Sequence, residues 1–124
     1  MLAQSDLVAF IATTDVARAR DFYRETLGLT LVADTPFAQV FDANGTMLRV
    51  TPVPSWSPPP FTLLGWRVAD IGSAARGLAA KGVAFQRYPG MQQDEDGVWS
   101  TPDGSKVAWF KDPDGNTLSL TQPA

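Results

Sequence analysis

The chain has no histidine and no cysteine. Histidine is the commonest metal ligand and the only side chain that titrates unperturbed near neutral pH. Its absence excludes a Ser-His-Asp triad and any His-ligated zinc or iron. The absence of cysteine excludes disulfides, thiol nucleophiles and thiolate metal sites. Long apolar runs are also missing. The first one, residues 7–12, is too short for a signal-peptide core or a membrane span, and no basic segment precedes it. A cytoplasmic protein that does not engage a membrane is therefore expected. Positive charge is sparse, with ten Lys and Arg against thirteen Asp and Glu for a net charge of −3. A phosphate-binding surface needs clustered cations, and the basic residues here are dispersed, so no nucleic-acid partner is expected.

What remains describes an ordinary globular domain. The 124 residues are 44% hydrophobic and 19% charged, enough for one domain with a real core. Residues 7–13 form an apolar run bounded by polar residues and predict a buried strand. Thr14 or Asp15 then caps a helix whose apolar face is Val16, Ala19, Phe22, Tyr23 and Leu27, and Gly28 ends it. Three short strands are predicted over 29–34, 37–42 and 46–53. Asp42-Ala43-Asn44-Gly45 joins the last two as a hairpin. Five prolines fall between Pro52 and Pro60, which forbids a helix or an interior strand and predicts a stiff linker around Trp56. The pattern then restarts. A strand is predicted over 61–69, and Asp70 caps a second helix carrying Ile71, Ala74, Ala75, Leu78 and Ala79, closed by Gly82. A strand over 83–88, a polar loop over 89–100 and two strands over 106–111 and 117–121 follow. Asp112-Pro113-Asp114-Gly115-Asn116 turns between the last two. Superposing the caps Asp15 and Asp70 aligns the halves as an internal repeat of structure.

Two motifs, Asp15…Phe22-Tyr23-Arg24-Glu25-Thr26-Leu27-Gly28 and Phe110-Lys111-Asp112-Pro113-Asp114-Gly115-Asn116, sit at corresponding places in this doubled pattern. The chain resembles the vicinal oxygen chelate superfamily of glyoxalase I, bleomycin-resistance proteins and extradiol dioxygenases, from about residue 7 to 122. The resemblance implies an α+β fold of two βαβββ modules, whose curled mixed sheets form a cup-shaped cavity. It makes residues 1–124 one domain, with module 1 at about 7–53, linker 54–60 and module 2 at about 61–122. It also implies homodimerisation, with modules paired within or between chains.

In that superfamily, metalloenzymes draw ligands from the first, fourth, fifth and eighth strands. Here those positions fall on Val8, Arg49, Leu64 and Ser119. Neither these nor their neighbours Ala9, Val50, Gly65 and Leu120 hold a divalent cation, and Arg49 repels one. The acids cap helices, sit in turns or at strand ends, lie on a helix surface, or share the loop Asp94-Glu95-Asp96. Hence no metal, no cofactor and no catalytic residue is expected.

Side chains alternate along a strand. If Val8 faces the cup, so do Phe10 and Ala12. If Leu64 does, so do Trp66 and Val68. Met47, Arg49 and Thr51 follow from the fourth strand, and Thr117, Ser119 and Thr121 from the eighth. Alternation leaves open whether Trp109 or Phe110 joins them, and Arg67 is expected on the other face. The candidate ligand-binding residues are Phe10, Arg49, Trp66, Trp109 and Ser119, an apolar and aromatic lining with few polar groups. Arg49 suits a carboxylate, phosphate or enolate. Equally, it could pair internally with Asp34 or Asp42, or reach solvent. The expected function is binding of a small, partly aromatic molecule. The alternative is a lyase, isomerase or dioxygenase-type enzyme with an atypical or absent metal site.

Overall fold

The computed structural model describes residues 1–124 as two compact units, Met1–Ser57 and Pro58–Ala124. In the first, a 3-10 turn (Leu2–Gln4) precedes β1 (Val8–Thr13), α1 (Val16–Asp21), β2 (Thr30–Asp34), β3 (Gln39–Ala43) and β4 (Thr46–Pro52). The Asp15 carboxylate accepts from the Arg18 N–H at 3.1 Å and starts α1. The expected single helix instead changes character at Phe22. Residues Phe22–Thr26 form a π turn, in which the Leu27 N–H donates to the Phe22 carbonyl at 2.9 Å. Apolar spacing does not distinguish this wider closure from an α turn.

The strands order β1-β4-β3-β2, with β1 parallel to β4 and the rest antiparallel. The β3–β4 hairpin turns on Asn44 and Gly45, both with positive φ, and the Asp42 carboxylate accepts from the Gly45 N–H at 2.9 Å. That is the conformation for which Asn-Gly is selected. Ile11, Phe41, Leu48 and Val50 are buried on one face of the sheet, together with Ala19 and Tyr23 from the helical segment. The rings of Tyr23 and Phe41 lie 6.0 Å apart. Burying each such ring contributes roughly 1.5–3 kcal/mol. Gln39 is buried as well, and neither end of its amide finds a partner in the protein.

The second unit repeats the order as β5 (Thr62–Arg67), α2 (Ile71–Ala80), β6 (Trp99–Ser100), β7 (Lys106–Lys111) and β8 (Thr117–Gln122). Its strands order β5-β8-β7-β6, with β5 parallel to β8. Asp70 caps α2 by accepting from the Ser73 N–H at 3.1 Å. The Gln122 side-chain oxygen accepts from the Ile71 N–H at 2.9 Å and ties the helix start to the last strand. Ala108, Phe110, Leu118 and Leu120 are buried on that side with Ile71 and Ala75. Both units are thus mixed four-stranded sheets with a helical segment on one face, an α+β arrangement, and neither sheet closes on itself.

One predicted strand is absent. Residues 83–88 contribute a single sheet-like bond, from the Gln86 N–H to the Trp109 carbonyl at 2.8 Å. Two further backbone groups there are satisfied by a side chain. The Gln93 amide accepts from the Tyr88 N–H and donates to the Gln86 carbonyl, both at 2.8 Å. The edge of the sheet is taken instead by Trp99–Ser100, residues expected in a loop. Gly97, just before them, has φ +88°, and a Cβ there would lie 2.8 Å from the Phe85 Cβ, so only glycine fits this crossing. Arg87 holds the outer loop by donating to the carbonyls of Asp94 at 2.5 Å and Glu95 at 2.8 Å.

Candidate functional site

Each sheet leaves one face without a helix, and alternation from the buried residues decides what lies there. In the first unit it carries Val8, Phe10 and Ala12 from β1, with Met47, Arg49 and Thr51 beside them on β4, strand against strand. Phe10, Arg49 and Val40 form one row across three strands. Phe10 is 65% exposed and Met47 42% exposed, which is large for apolar side chains in mid-strand. Beside this row lies a concavity of about 410 Å³ whose lining includes Leu7, Val8, Val32, Val40 and Met47 and the two acids Asp6 and Asp42.

In the second unit the equivalent row is Gly65, Ser119 and Trp109. Here the choice between Trp109 and Phe110 is resolved. Phe110 is fully buried against Phe85 with ring centroids 5.5 Å apart, so Trp109 takes the bare face. Trp109 stacks on Trp99 at 6.2 Å and 28°, and Tyr88 meets it edge-on at 5.4 Å. Gly65 admits the Ser119 side chain, which is buried against it: a Cβ there would fall 2.7 Å from the Ser119 hydroxyl.

Two expected orientations are corrected. Trp66 pairs with Leu120 and lies on the helix side of the sheet, away from Ser119 and Trp109. Arg67 pairs with Thr121 and lies on the bare face. Counting back equally from the caps Asp15 and Asp70 sets Val8 against Leu63 and Phe10 against Gly65. Placing Leu64 opposite Val8 is a slip of one residue, and such a slip exchanges the two faces of a strand. A register irregularity between Thr62 and Leu64 marks the same place. Trp99, expected in a loop near the rim, and Tyr88, which offers a phenol, join Trp109 from segments whose partners are set only by the chain's return. The acid Asp42, assigned to a turn, stands on β3 and faces the bare side beside Met47.

The internal partners considered for Arg49 are occupied elsewhere. Asp34 bonds Arg20 at 3.3 Å, and Asp42 accepts from the Gly45 N–H. A larger trough of about 720 Å³ lies by the start of α2, but it is polar, and Arg76 bonds Asp96 within it at 3.0 Å. Asp94 in the acidic loop accepts from the N–H groups of Asp96 and Val98, both at 2.9 Å. The only marked acidity shift lies in the exposed 101–105 turn. The Thr101 hydroxyl, then the Ser105 N–H and hydroxyl, hold Asp103 at about 2, below the usual 3.8.

The donor set does not fit the divalent metal of the superfamily's enzymes. The central rows offer Phe10, Arg49, Gly65 and Ser119, and no three His, Cys, Asp or Glu come together to hold an ion. No helix is long and apolar enough to cross a membrane.

Two βαβββ units, each with a helix on one face of its sheet and a bare, partly aromatic second face, define the class of paired-module proteins. The chain belongs to the Glyoxalase/Bleomycin resistance protein/Dioxygenase superfamily, whose family model matches residues 5–120. Similar solved structures include TnmS3, an antibiotic binding protein from Streptomyces sp. CB03234 (27% identity, 100% of this chain and 99% of that one, TM-score 0.72). A superfamily member from Sphaerobacter thermophilus is 26% identical over 99% of this chain and 100% of that one, with a TM-score of 0.73. A lactoylglutathione lyase from Agrobacterium tumefaciens shares the fold at 17% identity (96% and 93% coverage, TM-score 0.73). No curated protein sequence matches.

Proposed function

We propose that this protein binds a small, partly aromatic molecule on its bare sheet faces and needs no metal to do so. The observation that carries this reading is the Tyr88–Trp99–Trp109 cluster, with Ser119 paired to Trp109 across the strands. Flat aromatic surface with one hydroxyl at its edge is what a small-molecule site of this kind offers. The likeness to an antibiotic binding protein over the full chain supports it. On the first sheet Phe10 and Arg49 are the contact residues in this reading; on the second, Trp109 and Ser119 are, and Trp66 is a wall behind that sheet. For the enzyme alternative, no three His, Cys, Asp or Glu come together to hold an ion.

Titration of tryptophan fluorescence with naphthalene, indole and anthraquinone probes is the test. Saturable quenching by at least one probe is expected, with Trp109→Ala weakening it about tenfold. Linear, unsaturable quenching by every probe would sink the reading. The protein is also read as a homodimer, for which light scattering on the same sample should give about twice 13.4 kDa. A mass of a single chain at all concentrations would refute that part.

A further inference from the structure

We infer that the bare face of the first sheet receives the carboxylate of an aromatic acid, with Arg49 as the anion-binding group. This rests on the reading of the bare faces as ligand-bearing and names the class of ligand. Arg49 stands on an inner strand, between Phe10 and Val40, with Met47 and Thr51 next to it along β4. It is part-buried, and no carboxylate of the protein bonds it: Asp34 is held by Arg20, and one oxygen of Asp42 accepts from the Gly45 N–H. A guanidinium held in an apolar collar loses hydration that an incoming anion restores. Its planar, paired N–H donors match the two oxygens of a carboxylate.

The charges near this face favour a monoanion over a dianion at Arg49. Arg18, Arg20 and Arg24, the other cations of this unit, lie in or beside α1, so Arg49 acts alone. Asp42 shares the face, one diagonal step away. Asp42 and Asp6 both line the adjoining concavity and repel a dianion more strongly than a monoanion, with Arg49 the one cation on the face to offset them. The body of the ligand is specified by the neighbours. Exposed Phe10 and Met47 present a ring face and a polarisable thioether, and the adjoining 410 Å³ concavity has the size of a one- or two-ring molecule.

Calorimetric titration of the full chain with 2-naphthoate, 2-naphthylmethanol and 2-naphthyl phosphate tests this. Naphthoate should bind at least about tenfold more tightly than the neutral alcohol and more tightly than the phosphate, and added salt should weaken it. Arg49→Met should remove the preference for naphthoate while leaving the alcohol's affinity within about twofold. Arg49→Lys should retain only part of that preference, because a point charge replaces a fork. Unchanged thermal unfolding of both variants shows that the fold is intact. If the alcohol binds as tightly as naphthoate, or Arg49→Met keeps the preference, the carboxylate assignment falls while the ligand-bearing face stands. A phosphate that binds more tightly than naphthoate also overturns it. If none of the three binds, the ligand-bearing reading of this face fails and the assignment fails with it.

Discussion

Phe110→Ala should lower the unfolding free energy by about 3–5 kcal/mol, the cost of emptying a fully buried ring site. Trp109→Ala, one residue earlier, should cost less. The two side chains are neighbours in sequence but lie on opposite faces of β7. Phe110 fills the space between the sheet and the helix side, where Phe85, Leu118 and Leu120 cannot collapse to close a cavity. Trp109 is part-exposed on the bare face, and its loss removes mainly ring contacts with Tyr88 and Trp99, worth about 0.5–1.5 kcal/mol each. Denaturant unfolding of both variants decides the matter. Equal losses, or a larger loss for Trp109→Ala, would contradict the assignment of the faces.

Asp112→Ala should cost about 3–4 kcal/mol and lower the unfolding midpoint by about 10 °C. One oxygen of this buried carboxylate accepts from the N–H groups of Asp114 and Asn116, both at 2.9 Å. The other accepts from the Asn116 side-chain amide at 2.9 Å. Asn116 is itself fully buried, so alanine at 112 strands its donors away from water. Asn116→Ala should cost less, because it removes a donor and leaves the carboxylate with two of these three bonds. Asp112→Asn should fall between them, since its amide keeps an acceptor for the turn. Thermal unfolding of the three variants gives the order. An Asp112→Ala protein as stable as wild type would show that the turn is held by its backbone alone.

The same turn shows what could be read in the sequence. Asp112-Pro113-Asp114-Gly115-Asn116 was legible as a turn because aspartate, proline and glycine each restrict the backbone locally. The caps at Asp15 and Asp70 and the Asn44-Gly45 hairpin were legible for the same reason: each is a bond or dihedral settled within a few residues. The strand expected over 83–88 was misread because its fate depends on Gln93, whose amide takes bonds that a strand partner would have taken. In the candidate site, the facing of Phe10 and Arg49 followed from alternation, and their shared row is in place. Trp66 was misplaced because alternation gives only the period of a strand. Its phase comes from the partner, here Leu120 on β8, reached only after the chain has turned back.

By itself the sequence determined the doubled strand–helix–strand order, the caps and turns, and the lack of any histidine or cysteine ligand. These depend on short-range bonding and on which side chains exist at all. The tertiary structure decided that Trp99 and Tyr88 gather on Trp109, that Phe110 rather than Trp109 is core, and that the acids considered for Arg49 are engaged elsewhere. Those outcomes depend on strand register and on pairs far apart in the chain. Their free energy comes from contacts that form only when distant segments meet, and residue spacing does not encode which segments those are.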